Sequence, residues 1–412
     1  MSGSDTLFVL ELFVLLVAAA TVVAVVTRRL TVLPYSVALV LLGLAVSALD
    51  LPIDLEIAPD LLLAVLIPGL IFEAAYRIDL RDLVPNLGAV TVLATIGVLV
   101  TAAAVALTLT VATGLPFALA FLVGTMLAAT DPAAVVAVFS RLRAPRRLTT
   151  LVEAESLFND GTGIVIFAIA VEAFGRDVGP IELVVGVAVI TVVSIAIGVA
   201  VGLVATRALA RLDDHLLELT ISLVAAYGSY LIAEQLDQSG ILATVACGLV
   251  FGSLGRRAAS ARAEDAIDTV WEFIGFLMTT VVFLLVGLAI SIPQLANAFV
   301  PSLWALAGLL VARGLIVYGL LGVGSRVLAR VGWGRAVPSR WLHLIAWAGL
   351  RGAIAVALAL SLPPGIPQRD LLQGIVFGCV LLTLLLQGTT AELLVRRLGI
   401  EVREERPREE SA

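Results

Sequence analysis

Apolar residues in this chain run in blocks of roughly 18–25, the length of a bilayer-crossing helix, and the turns between the blocks hold most of the arginine. The pattern predicts thirteen helical spans, at 6–27, 33–50, 58–76, 84–111, 115–140, 150–174, 181–206, 215–236, 239–255, 267–290, 300–325, 341–362 and 371–395. The fold class is therefore an all-α polytopic membrane protein. With the seventh span as a linker, spans one to six and eight to thirteen start on opposite faces, which predicts two inverted six-helix repeats. Corresponding spans can then be compared. The fifth is interrupted by Thr130-Asp131-Pro132, where proline removes a backbone donor and clashes with the preceding turn. Its counterpart, the twelfth, carries Gly349 and Gly352 on either side of Arg351. Interrupted segments at matching positions of two halves point to a transport site near the bilayer midplane.

Composition agrees with that class: of 412 residues, 60% are hydrophobic and 14% charged, and the mean hydropathy is +1.10. The first apolar run lacks a basic segment before it and a small-residue cleavage site after it, so it reads as a retained span rather than a signal peptide. Cys247 and Cys379 lie in apolar runs without metal-ligand spacing and read as packing residues. The net charge is −6, and all 26 basic side chains are arginine, so any cationic partner buried in the membrane stays charged. Arginines follow every odd-numbered span, from Arg28 and Arg29 to Arg396 and Arg397, whereas the opposite loops hold only Arg176 and Arg369. By the positive-inside rule the N-terminus lies outside and the C-terminus in the cytoplasm.

The candidate chemistry sits between Gly124 and Gly163, where two spans carry Asp131, Glu155 and Asp160 with Thr130, Ser156 and Asn159 beside them. An acid at the centre of a spanning helix costs about 2.5–3.5 kcal/mol on the insertion scale, so three so close together imply a site for a cation. Asp131 lies ten residues before Arg141, Asp160 ten beyond Thr150 and Arg351 about ten into its own span, and at 1.5 Å per residue these depths are roughly 15 Å, half of the hydrocarbon core. Arg313 is the other arginine inside a span. Glu155 and Asn159 share one helical face, Ser156 and Asp160 another; the two carboxylates stand about 140° apart. This assigns Asp160 to a cavity and Glu155 to an ion pair with Arg313. Carboxylates, hydroxyls and freed carbonyls are hard oxygen ligands, suited to Na+, Li+ or K+. A carboxylate in a low-dielectric site resists ionisation unless a cation arrives, so a proton and a metal ion compete for it, which is already a mechanism for exchange. No phosphate-binding G-x-x-x-x-G-K-[ST] motif is present. His215 and His343 begin spans and read as interfacial residues, Glu11, Glu172 and Glu234 lie near span ends, and Glu218 and Glu272 are placed toward a cytoplasmic entrance.

The stretches LIPGLIFEAAYRIDL, ATDPAAVVAVF, ESLFNDGTGIVIF, SGILATVACGLVFG, WEFIGFLMTTVVFLLVGL and GLRGAIAVALAL together resemble the NhaP-like sodium/proton exchangers of the monovalent cation:proton antiporter superfamily, over roughly residues 60–360. The resemblance implies a core with two crossed broken helices, a dimerisation domain and elevator-like alternating access. It implies secondary transport rather than enzymatic chemistry: Na+, or Li+, exchanged for H+, one for one and electrically silent, with Asp160 as the carrier. Asp131, Thr130 and Ser156 complete the Na+ site, and Asn159 stands where electrogenic relatives carry a second aspartate. Glu155 with Arg313 matches the family's buried ion pair. Arg351 is its second arginine, with Glu73 as expected partner although Glu73 sits near the cytoplasmic end of its span. Thr279 replaces an expected asparagine. The implied partners are the transported ions, the lipid bilayer and a second copy of the chain; neither a resident cofactor nor nucleic acid is implied. Residues 1–111 and 181–290 are assigned to scaffold, dimerisation and repeat helices, 115–174 and 300–395 to the ion-binding core, and 398–412 to a short cytoplasmic tail. A K+/H+ antiporter would use the same site. A cation channel fits the buried arginines less well, and an intramembrane aspartyl protease would need a G-x-G-D motif that neither aspartate has.

Overall fold

The computed structural model describes residues 14–15, 17–27, 34–49, 62–174, 180–212, 214–330 and 336–400. Glu11, Arg28, Arg29, Arg176, Arg335 and the tail beyond Ile400 lie outside the described residues. Helices occupy the predicted blocks: α1 (Val17–Thr27), α2 (Tyr35–Ser47), α3 (Ile67–Arg77), α4 (Leu87–Thr113), α5 (Phe117–Met126), α6 (Ala133–Arg141), α7 (Arg146–Ala173) and α8 (Pro180–Leu209). They continue with α9 (His215–Gln235), α10 (Gly240–Val250), α11 (Ala261–Ala289), α12 (Ile292–Gly314), α13 (Ser339–Trp347), α14 (Ala353–Leu360), α15 (Arg369–Thr383) and α16 (Thr389–Leu398). Among the described residues eight helices are long and apolar enough to cross a membrane.

Local chemistry sets the helix ends. Asp214 accepts hydrogen bonds from the Leu216 and Leu217 amides to start α9, and Ser239 and Ser260 cap α10 and α11 in the same way. Gly114, at φ 73°, closes α4 in the left-handed conformation, and Pro116 directs the chain into α5. Within the membrane, where every backbone group needs an internal partner, α5 ends at Met126 and α6 begins only at Ala133. A second gap separates Trp347 from Ala353. Both predicted interruptions are thus real breaks in the helical hydrogen-bond ladder.

The helices pack in two sets. In one, α2, α3, α8, α9, α10 and α11 contact one another, with an aromatic cluster in which the Phe72 and Trp271 rings lie 4.6 Å apart. In the other, α4 packs against α5, α7 and α12, and α12 packs against α15. The span 84–111, grouped by sequence with scaffold and repeat helices, therefore lies among the helices that carry the acids. Small residues permit the close approaches, as expected where lipid offers no hydrophobic drive between helices. Gly43 and Gly287 meet backbone to backbone, joining α2 to α11. A Cβ added at Gly198 would stand 2.0 Å from the Ala243 carbonyl oxygen, so α8 and α10 touch through backbone atoms. Gly198→Leu is expected to separate these helices and destabilise the protein by about 1–3 kcal/mol, read as a lowered midpoint of thermal unfolding in detergent.

Candidate functional site

A cavity of about 360 Å³ lies between the two helix sets. Ile67, Ile71, Glu73 and Arg77 of α3 and Thr279 and Phe283 of α11 form one wall; Thr130, Asp131, Ser156 and Asp160 with Gly352 and Ala353 form the other. The four residues expected to bind a cation thus converge on one space. Arg77, whose side chain is 50% exposed, marks its mouth.

The two helix breaks meet at the head of this cavity. The Asp131 amide donates to the Leu350 carbonyl at 2.9 Å. One guanidinium nitrogen of Arg351 donates to the Ala128 and Ala129 carbonyls at 3.4 and 3.2 Å, and the Arg351 amide donates to the Thr383 hydroxyl at 3.1 Å. Asp131 accepts from the Ala133 amide at 3.0 Å and lies beside the amide of Ala353. Its carboxylate therefore stands where both C-terminal half-helices begin, at the positive ends of their dipoles. Gly352 makes that position possible: a Cβ there would be 2.0 Å from an Asp131 carboxylate oxygen.

Helix α7 divides its polar residues between two faces. Glu153, Ser156 and Asp160 line the cavity; Glu155 and Asn159 face a small second space with Thr101, Arg313 and Arg351. On that side Arg313 makes a two-pronged ion pair with Glu155, one contact at 3.0 Å, and its guanidinium also donates to the Ile345 carbonyl at 2.9 and 3.2 Å. Glu155 is only 2% exposed, so the pair is dry. Asn159 does not face the main cavity. Its amide donates to the Thr130 hydroxyl at 2.7 Å and its oxygen accepts from the Thr130 amide at 3.1 Å, while the Ser156 hydroxyl donates to the Thr130 carbonyl. Both residues hold the break in shape. Asp160 has no hydrogen-bond or ion-pair partner among the described residues, and its carboxylate is free to meet a ligand.

The structure corrects one expected pairing. Glu73 does not face Arg351; it is paired with Arg77, one turn along α3. Glu73 lines the cavity near its mouth, whereas Arg351 is 2% exposed and engaged with the carbonyls of the opposite break. Glu218 does not line an entrance either: it is fully buried beside the amide and hydroxyl of Ser260. Cys247 and Cys379 are free and buried, as packing residues would be. Glu153 is a cavity residue the sequence reading passed over. It lies three residues before Ser156 and seven before Asp160, spacings that share a face at 3.6 residues per turn.

The chain matches the transmembrane sodium/hydrogen exchanger family over residues 14–397. It is 34% identical over 400 residues to the low-affinity Na+/H+ antiporter NhaS1 of Synechocystis, covering 95% of this chain and 75% of that protein. It is 36% identical over 375 residues to the Na+/H+ antiporter ApNhaP of Aphanothece halophytica, covering 89% and 70%. Its fold is similar to that of the sodium proton antiporter MjNhaP1 from Methanocaldococcus jannaschii, with a TM-score of 0.76 at 23% identity, covering 96% and 99% of the two chains.

Three variants test this geometry. Glu155→Gln leaves Arg313 a buried, unpaired charge and is expected to cost about 3–5 kcal/mol; pairing Glu155→Leu with Arg313→Met should cost less, both read as unfolding midpoints in detergent. Gly352→Ala is expected to leave the protein folded and displace the Asp131 carboxylate, weakening cation binding measured by calorimetry at least tenfold; unchanged affinity would remove Asp131 from the site.

Proposed function

This chain belongs to the sodium/hydrogen exchanger family, and from that membership we propose that it exchanges Na+, or Li+, for H+ across a membrane, one for one and without net charge. The observation that carries the reading is the position of Asp160: an unpartnered carboxylate at the head of a cavity, with Asp131, Thr130 and Ser156 beside it on the same wall. The transported cation displaces the proton from Asp160 and is held by the Asp131 carboxylate and the oxygens of Thr130 and Ser156; on the other side of the membrane the exchange reverses. Asn159, engaged with Thr130, adds no charge to the site, which supports electroneutrality. No nucleotide or resident cofactor is required, because the sodium and proton gradients drive each other. The Na+/H+ antiporters among its relatives support Na+ as the cation.

In this reading the chain has thirteen spans in two inverted repeats, its N-terminus outside and its C-terminus in the cytoplasm. The arginine-bearing mouth of the cavity then faces the cytoplasm. The set containing α4, α5, α7 and α12 moves as the ion-carrying body against the set containing α2, α3 and α8 to α11, and the latter joins two copies into a homodimer. The cavity between the two sets supports that division, since sliding one wall past the other changes which end is open.

The test is proton efflux from acid-loaded proteoliposomes on addition of Na+, Li+ or K+, with the membrane potential clamped and unclamped. Na+-driven efflux that is the same in both conditions, and that Asp160→Asn reduces at least a hundredfold in correctly folded protein, is the expected result. Efflux driven by K+ in preference to Na+ would replace the cation, dependence on the clamp would overturn electroneutrality, and no response to any cation would overturn exchange.

A further inference from the structure

The cavity wall holds two carboxylates that the exchange cycle does not use, Glu73 and Glu153. Glu153 lines it on the same face of α7 as Ser156 and Asp160, and two helical turns set it about 10 Å from Asp160 along the helix axis toward the mouth. The other acid near the mouth, Glu73, is neutralised by Arg77. Glu153 has no hydrogen-bond or ion-pair partner among the described residues, although Glu73 and Arg77 are both close enough to act on it electrostatically. A cation moving from the mouth to Asp160 passes through the space that Glu153 lines.

We infer that Glu153 sets the apparent affinity for the transported cation from the cavity side, by drawing the ion in electrostatically while Asp131 and Asp160 bind it. This rests on the exchange reading above. Glu153 is not a ligand in the bound state; its charge favours cations over anions in the cavity, and its effect on rate is largest when Na+ is dilute. A negative charge in a cleft with low-dielectric walls focuses its field along the cleft and raises the local concentration of counter-ions. Across about 10 Å, with an effective dielectric constant between those of water and the protein surface, one charge changes that concentration roughly two- to fifteen-fold. Its contribution must also weaken with ionic strength, because the cavity is open to the solution. Ser156 and Asp160, on the same face, do not depend on Glu153 for their positions: no hydrogen bond joins it to either.

The experiment measures Na+-driven proton efflux from proteoliposomes in an alkaline medium, where the Glu153 carboxylate is ionised, for wild type, Glu153→Gln and Glu153→Asp, each at low ionic strength and with added choline chloride, which raises ionic strength without supplying a transported cation. For Glu153→Gln the expected result is a KM for Na+ raised roughly three- to tenfold at low ionic strength, with kcat unchanged. Choline chloride should raise the wild-type KM toward that of the variant while moving the variant little, and Glu153→Asp should behave as wild type. An unchanged KM in Glu153→Gln overturns the inference. So does a rise in KM that Glu153→Asp shares and that choline leaves unaltered, because that pattern marks a packing role. Absence of Na+-driven efflux in wild type would instead overturn the exchange reading, and this inference with it.

Discussion

The contact between the two helix breaks is what the rest of the structure depends on. Within a bilayer an interrupted helix leaves amides and carbonyls that water cannot satisfy, and here each break supplies partners for the other. Leu350 accepts from the Asp131 amide, and Arg351 reaches the Ala128 and Ala129 carbonyls in the break that follows α5. An arginine suits this position because its guanidinium is a planar fork of five donors that keeps its charge. Remove either break and the other has orphaned groups at mid-membrane. That mutual dependence explains why the Thr-Asp-Pro and Gly-Leu-Arg-Gly segments, more than two hundred residues apart, read as one device.

Helix α7 joins this device to the cavity by keeping two kinds of polar chemistry apart on its two faces. The face toward Arg313 is dry, and its groups are fully paired: Glu155 with the guanidinium, Asn159 with Thr130. On the face toward the cavity Ser156 donates to the Thr130 carbonyl, while the carboxylates of Glu153 and Asp160 have no hydrogen-bond or ion-pair partner among the described residues. The carboxylates on the cavity face stay uncommitted because the backbone around Thr130 is held by Asn159 and Ser156.

Much of this was legible in the sequence, for physical reasons that also mark where legibility stopped. The breaks were visible because Pro132, and the glycines around Arg351, are incompatible with an unbroken apolar helix. The Glu155–Arg313 pair was visible because each is too costly to bury alone. The partner of Arg351 was not: two opposite charges in spans suggest a pair, but Glu73 lies too near the end of α3, and the guanidinium bonds to backbone carbonyls instead. Glu153 was hidden by its position toward the end of its span, where a carboxylate usually reaches water, although its spacing to Asp160 placed it on the cavity face. The packing of α4 with the acid-bearing helices left no trace in its sequence, whose polar face is too weak to choose a neighbour.

The cavity ends at the breaks, and this has an electrical consequence. Solution filling it would carry the potential of the compartment it opens to, up to the carboxylate of Asp131. The voltage across the membrane would then drop mainly over the layer beyond, where the buried Arg351, Arg313 and Glu155 lie. One elementary charge crossing that layer would be worked on by most of the potential, about 2.3 kcal/mol per 100 mV. A carrier that moves a proton one way and a monovalent cation the other across the same layer experiences no net force from it, so its direction is set by concentrations alone.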